Sequence, residues 1–291
     1  DSINSIFLIF DILIYCLFPF LTSDFIYFCN MCWIFGFTLK KNFNNGYYGE
    51  KISKDLLSSL AKFSEARGKD SSGICLKDYF KKNHFIFKGN LRVSDLIKKK
   101  KFSNNFKKVF INFEENEIDN FSAFGHARLV TNGSQLNQIN NQPVIKDKII
   151  IIHNGIIVNS DSLFKKFSIE KKFHIDTEII PSLINHFLEK KYNLIDSVVN
   201  TLNQLQGTFS IAIHFEKFKE IILATNNGSL YFAKDKKDAF LFSSERYILD
   251  SSIKSSLNKN LNINQLNSNE ILILNPEQMD YNIFNFKTDN V

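Results

Sequence analysis

Met31-Cys32-Trp33-Ile34-Phe35-Gly36 is the stretch on which the reading of this chain turns. A cysteine placed directly after a methionine becomes a chain terminus when translation starts at that methionine and the methionine is then trimmed. Such a terminal cysteine carries its own base. The thiolate is the nucleophile, and an α-amine with a pKa near ~8 takes the thiol's proton close to neutral pH. The apolar residues that follow, 33–39, read as a strand. The alternative for Cys32 is a buried structural cysteine at a strand start. The rest of the chain decides between them.

Length and composition set the frame. With 291 residues, 44% of them hydrophobic, the chain can bury a substantial core as one large domain or two small ones. Lysine supplies nearly every cation, since only Arg67, Arg92, Arg128 and Arg246 are arginines. The formal charge of +6 therefore reads as a compositional bias toward lysine, and residues 98–101 as a solvated run that does not point to nucleic acid. Each arginine stands out against that background, because a guanidinium offers a two-pronged donor that lysine lacks. Cys16, Cys29, Cys32 and Cys75 have no regular spacing and make no disulfide framework. Cys29 and Cys32 form a C-x-x-C pair without the second pair that a zinc site needs, so no metal or cofactor is expected, and a reducing, cytoplasmic setting fits. Residues 1–30 are largely apolar but contain no Lys or Arg and are broken by Asp11, Pro19 and Asp24. That fits neither a signal peptide nor a membrane span well. The segment 1–31 is expected to be upstream translated sequence or a removed propeptide, absent from the active protein.

Further along, Leu56, Leu57, Leu60, Ala61 and Phe63 give one face of a helix expected over 53–66. Arg67-Gly68-Lys69-Asp70-Ser71-Ser72-Gly73 follows as a turn feeding a strand, with Gly68 placed to act as a helix C-cap. Residues 79–120 are a Lys/Asn/Phe mixture expected to pack as helix and connecting loop. Phe124-Gly125-His126-Ala127-Arg128-Leu129-Val130-Thr131-Asn132-Gly133 is an apolar strand interrupted by a histidine and an arginine. His126 reads as a hydrogen-bonded core histidine, and Arg128, if buried, requires an anion. In residues 148–159, Asn154-Gly155 is either a two-residue hairpin turn or a pair of donors aimed at an oxyanion. A short helix is expected over 161–167, with a strongly amphipathic one over 179–188 that Asp176 could cap. The runs 209–213, 221–224, 230–233, 240–242 and 270–274 read as short strands. Their turn punctuation indicates antiparallel pairing and an α+β layered fold rather than βαβ repetition.

Taken together and in order, these fragments resemble the class II glutamine amidotransferase domain of the N-terminal-nucleophile hydrolases. Met31-Cys32-x-Ile34-Phe35-Gly36, Arg67-Gly68-x-Asp70-Ser71-x-Gly73, Gly125-His126-x-Arg128-x-x-Thr131-x-Gly133, His153-Asn154-Gly155-Ile156 and Asp176-Thr177-Glu178 carry the resemblance. It runs from Cys32 to about residue 250, and its flavour is that of the glutaminase half of glucosamine-6-phosphate synthase. What it implies is a four-layer αββα sandwich over 32–291, with Cys32 at the end of a central strand. It also implies L-glutamine as substrate, Asn154 and Gly155 as the oxyanion hole, and Arg128, Thr131 and Asp176 as the clamp on the amino-acid group. Arg67, His126 and His153 are carried as positioning residues. Trp33 stands where the family has glycine, and could cap the pocket, alter access or lie on the opposite face. Asn132 and Leu129 depart from the family's usual histidine and aromatic.

The resemblance further implies an acceptor for ammonia, supplied by a partner subunit or by a C-terminal domain outside this sequence, in amino-sugar or surface-polysaccharide synthesis. The alternatives are a catalytically silent glutamine-binding or partner-binding module, and a fragment of a full-length glucosamine-6-phosphate synthase or amidophosphoribosyltransferase. A membrane role and nucleic-acid binding are not expected.

Overall fold

The structure is a computed structural model describing residues 32–40, 49–66, 68–79, 83–115, 120–128, 140–236 and 238–287. The chain divides into two units, Asp1–Met31 and Cys32–Val291, and every described residue belongs to the second. Among the described residues, thirteen strands form two antiparallel sheets. The first has seven strands in the order β11-β9-β10-β1-β4-β2-β3, the second six in the order β13-β12-β8-β7-β6-β5. Here β1 is Trp33–Lys40, β2 Ser71–Asp78, β3 Asn83–Gly89, β4 Asn120–Arg128, β5 Val144–Lys146, β6 Ile149–Ile157 and β7 Gly207–Phe215. The remaining strands are β8 Ile221–Thr225, β9 Tyr231–Asp235, β10 Ala239–Ser243, β11 Ile263–Gln265, β12 Glu270–Asn275 and β13 Asp280–Asn285.

Strand alternation sorts the apolar side chains into three layers of core. Phe35, Phe37 and Leu39 of β1 leave the first sheet on its outer side. There they meet Leu56, Leu57 and Leu60 of helix α1 (Glu50–Ser64) and residues of α2 (Val93–Lys98) and α3 (Lys100–Glu115). In α3, Phe102, Phe106 and Phe110 recur every four residues and so form one stripe, which packs its rings against Phe121 of β4 and Phe87 of β3. The second sheet is covered in the same way. Ile149 and Ile151 of β6 and Ile211 and Ile213 of β7 pack against Ile179, Ile180, Leu183 and Ile184 of α5 (Ile179–Glu189) and against Val198 and Leu202 of α6 (Leu194–Gln204). Two shorter helices, α4 (Ser160–Lys166) and α7 (Arg246–Ser252), complete the outer layers. Between the sheets lies the third core, where Ile34, Cys75 and Phe124 face Ile150, Ile152 and Ala212. The order of layers is helix, sheet, sheet, helix. Each of the large side chains buried in these layers contributes about 1.5–3 kcal/mol relative to exposure.

Three expectations are corrected. Residues 79–120 hold helices but also the strand β3, paired with β2 from Ser72–Gly89 to Asp78–Asn83. Asn154-Gly155 is not a hairpin turn, because β6 runs straight through it and pairs continuously with β7. The hairpin turn lies upstream at Asp147 and Lys148, both at positive φ (53° and 64°), a conformation that asparagine or glycine usually signals. Finally, α1 ends at Ser64 with Glu65 as its C-cap, so Gly68 is not the capping glycine. Its role is close approach: a Cβ at Gly68 would lie 2.8 Å from the backbone carbon of Ala127 in β4.

Candidate active site

Cys32 immediately precedes β1, the strand at the middle of the seven-stranded sheet. It is a half-buried free thiol. The β1–β4 register pairs Trp33 with Ala127, and one further step of the same antiparallel register sets Cys32 opposite Arg128. Cys32 is in phase with Ile34, and Arg128 with His126 and Phe124, so these side chains belong to the inner face of the sheet. In the facing sheet, Asn154 is in phase with Ile150 and Ile152, which also point inward, and β6 packs against both β1 and β4. Cys32, Arg128 and the Asn154 amide are thus carried on opposed inner faces.

Trp33 belongs to the other side. It packs in the outer core with Phe35 and Phe37, 6% exposed. Of the three placements open from sequence, it takes the opposite face and leaves the inner side next to Cys32 clear.

The electrostatics agree with this assembly. Burial pushes the Cys32 thiol up to about 12, the nearby Arg128 guanidinium pulls it down, and the Asp176 carboxylate pushes it up. Both charges therefore act on the thiol, although Arg128 is carried by the first sheet and Asp176 by a turn beside the second.

Gly155 is at φ +144°, in a region that side chains avoid, and a Cβ there would lie 2.0 Å from the Thr208 carbonyl oxygen. Only glycine fits at this position. The Asn154 side chain is 2% exposed, its Oδ1 has no partner, and it makes no hydrogen bond to any described residue. A buried amide left without a partner is costly and calls for an explanation.

Asp176 starts a short 3-10 turn, Asp176–Glu178, ahead of α5. It is not the helix cap, a place taken by Glu178. Its Oδ2 accepts from the Ile157 N–H at 2.7 Å and its Oδ1 from the Thr177 N–H at 2.9 Å, which tie it to the end of β6. His153 is held at both ring nitrogens: Nδ1 lies 3.0 Å from Thr177 Oγ1 and Nε2 3.4 Å from the Thr208 carbonyl oxygen. The carbonyl can only accept, so Nε2 carries the proton and Nδ1 accepts from the threonine. Burial lowers the pKa of His153 and keeps it neutral, Asp176 acting in the opposite sense. His126 is 1% exposed and also neutral, its pKa lowered first by burial and then by Arg128, His153 and Lys88. The sequence suggests a hydrogen-bonded core histidine; it is a core histidine, and among the described residues its Nε2 has no partner.

Three residues that sequence reasoning missed hold this arrangement. The Gln142 side chain brackets the His153 backbone, its Oε1 accepting from the His153 N–H and its Nε2 donating to the His153 carbonyl at 2.8 Å. Glu178 is fully buried, ion-paired at 2.6 Å with Lys146 Nζ, and accepts from the N–H groups of Lys172 and Phe173. That clamp fixes the segment that presents Asp176. The partners are too far apart in sequence for any local pattern to show them. Arg67 and Thr131, along with Met31, Leu129 and Asn132, lie outside the described residues. Among the described residues no group of His, Cys, Asp and Glu could hold a metal ion, and no helix is long and apolar enough to cross a membrane.

Residues 126–251 match a family described as glutamine amidotransferase domain. The chain is similar to the glutamine–fructose-6-phosphate aminotransferase (isomerizing) of Methanococcus maripaludis, 32% identical over 259 residues, covering 83% of this chain and 38% of the relative. The enzyme of that name from Clostridium acetobutylicum is 28% identical over 241 residues, covering 81% of this chain and 36% of the relative. This chain therefore spans well under half of either. Among solved structures, the glutamine phosphoribosylpyrophosphate amidotransferase of B. subtilis superposes with a TM-score of 0.58 at 23% identity, over 89% of this chain and 50% of that one, a likeness of fold. Residues 126–251 thus carry a glutamine amidotransferase domain, within a sandwich of two antiparallel sheets like that of the phosphoribosylpyrophosphate amidotransferase.

Proposed function

We propose that this domain hydrolyses L-glutamine to glutamate and ammonia through a thioester on Cys32, after removal of Met31 and everything before it. The observation that carries the reading is the convergence on Cys32 of Arg128, opposite it in the first sheet, and Asp176, on the turn tied to the end of β6, a cation and an anion around one thiol. An α-amino acid offers the complementary pair. Arg128, with Thr131, would hold the substrate's carboxylate and Asp176 its ammonium, leaving the side-chain amide to reach the sulfur. Asp176 already accepts one backbone N–H at each oxygen, and the lone pairs left over are available to an ammonium.

The freed Cys32 amine takes the thiol proton as Sγ attacks the amide carbon. The oxyanion is met by the Asn154 side-chain N–H and the Gly155 backbone N–H, each donor worth about 3 kcal/mol in comparable sites. Collapse expels ammonia, which leaves with the proton the amine had taken. Water then attacks the thioester and releases glutamate. His153 and His126 stay neutral and act through position: His153 anchors the strand that presents Asn154 and Gly155. Trp33, packed on the outer face, gives no support to a blocked, merely binding module.

For the ammonia we propose an acceptor site on a partner subunit or on a further domain, serving amino-sugar or surface-polysaccharide synthesis in the cytoplasm. What supports this is the similarity to glutamine–fructose-6-phosphate aminotransferases, of which the chain spans little more than a third. The test is glutamate release by protein whose N-terminus has been established as Cys32. Stoichiometric glutamate from that form, and none from Cys32→Ala, is expected. Equal release from the alanine variant would end the proposal.

A further inference from the structure

β5 pairs with β6 only from Ile149 to Ile151, whereas β6 continues to Ile157 with β7 on its other side. Among the described residues, no strand covers that far edge of β6. The backbone groups facing it can be assigned. Phe209, opposite Gly155, directs its own groups away from β6: its N–H donates to Asn226 Oδ1 at 2.8 Å, and its C=O accepts from the Asn226 N–H at 3.1 Å. Gly155 and Phe209 are therefore a pair without mutual hydrogen bonds, and the N–H groups of His153, Gly155 and Ile157 point to the uncovered edge. His153 donates to Gln142 Oε1, and Ile157 to Asp176 Oδ2 at 2.7 Å. The Gly155 N–H, proposed above as an oxyanion donor, lies between these two fixed neighbours. The Gln142 side chain stands in for a strand. Val144 pairs with Ile151, so the same register two residues on sets Gln142 opposite His153. The Gln142 backbone carbonyl is instead turned onto Gly73 of β2 in the first sheet, where any Cβ would collide with it. The side-chain amide supplies the donor and the acceptor that the main chain would have given. Gly73 is not at positive φ, so what it provides there is room.

We propose that Gln142, seated on Gly73, is a positioning residue for glutamine hydrolysis: it spans the two sheets and fixes the stretch of β6 that presents Asn154 and Gly155 to the oxyanion. The inference rests on the glutaminase reading and deepens it, since it gives a task to the last glycine of Arg67-Gly68-x-Asp70-Ser71-x-Gly73. Gln142 acts through β6 and touches no substrate. Donors displaced by about 1 Å lose their effect where charge develops, in the transition state. Glutamine itself is held by Arg128 and Asp176, so the loss falls on kcat and spares KM.

The test uses the chain with Cys32 as its N-terminus and measures kcat and KM for glutamate release, the urea midpoint, and exchange of the His153 amide by NMR. Gln142→Leu is expected to lower kcat at least about tenfold with KM within about twofold of the parent, and to speed exchange at His153 while Ile211 and Ile213 stay protected. Gln142→Glu keeps the shape and the acceptor but, ionised, has nothing to donate to the His153 carbonyl. It is expected to lower kcat in the same way and supplies the reading if the leucine variant does not fold. Asn141→Ala removes a different buried bond of the same segment, from Asn141 Nδ2 to Asn90 Oδ1 at 2.8 Å, and is expected to lower the urea midpoint at parental kcat. Parental kcat in a folded Gln142 variant overturns the proposal, as does a change in KM alone. So does a fall of kcat in Asn141→Ala as large as in Gln142→Leu, or a His153 amide that exchanges in the parent as fast as an exposed one. A parent chain that releases no more glutamate than Cys32→Ala overturns the glutaminase reading and this proposal with it.

Discussion

The two sheets contribute to the site in opposite ways. The second sheet and the segments packed beside it deliver groups that are already tied down: Asp176 to Ile157 and Thr177, His153 to Thr177 and Thr208, Gln142 to the His153 backbone, Glu178 to Lys146. The first sheet delivers Cys32, half-buried at a strand end with no hydrogen-bond partner among the described residues. Oxyanion donors and substrate clamps gain by being fixed before the reaction, because no reorganisation is then needed as charge develops. A nucleophile must stay unpaired and able to move. Rigidity in one sheet and freedom in the other are two halves of one design, and substitutions should separate them: activity without stability on the first side, both together on the second.

Cys32→Ala tests the free side most severely. Glutamate release is expected to fall by more than about a thousandfold, as for loss of a nucleophile generally. The urea midpoint should not move, since no hydrogen bond is lost. Gly155→Ala tests the fixed side. The clash with the Thr208 carbonyl and the positive φ make a loss of about 3 kcal/mol in stability the expected result, together with loss of turnover. An alanine variant of parental stability would contradict the strained geometry at this position.

Removing one partner of the Lys146–Glu178 pair, as in Lys146→Met or Glu178→Gln, is expected to cost about 3–5 kcal/mol by leaving a buried polar group unmatched. The double variant Lys146→Met with Glu178→Leu should be less damaged than the worse single one, and a double-mutant cycle reads that coupling directly. Arg128→Lys returns to the first sheet. A tenfold to hundredfold rise in KM for glutamine is expected, with about 1 kcal/mol or less in stability, because lysine keeps the charge but not the fork. Loss of folding instead would make Arg128 structural.

Acid acts on all the buried histidines together. Burial lowers the pKa values of His126, His153 and His214, and that of His84 to about 3. Unfolded histidines titrate near ~6.5 and so bind protons that the folded ones refuse. Stability from these groups is complete above pH ~6.5 and is lost as the pH falls below it, by at most about 1.4 kcal/mol per pH unit for each histidine. Urea titrations between pH 7.5 and about 5 should show that slope. A flat profile would mean that the histidines are accessible.

What could be read in advance follows the same division. Cys32, Arg128, Asn154, Gly155 and Asp176 were singled out in the sequence by the order of five motifs that resemble one family, because each of them alone also had a purely structural reading. The long helices and most strands showed in their periodicity. β3 did not, because an edge strand wet on one side reads Asn-His-Phe-Ile-Phe-Lys-Gly, with no clean alternation. Asn154-Gly155 mimicked a hairpin because the residues that favour a turn also serve a strand whose backbone passes close to its neighbour. The supports Gln142, Lys146 and Glu178 were invisible for a different reason. Each is defined by a partner that only the fold brings near.

The account stands on Cys32 acting as a terminal residue, and mass spectrometry of the rapidly quenched protein during glutamine turnover tests that most directly. The account predicts an N-terminal peptide that begins at Cys32 and carries a glutamyl group on its sulfur, appearing with substrate and decaying as glutamate accumulates. Turnover by a chain whose Cys32 nitrogen is still joined to Met31, or a glutamyl group found on any other residue, would contradict it.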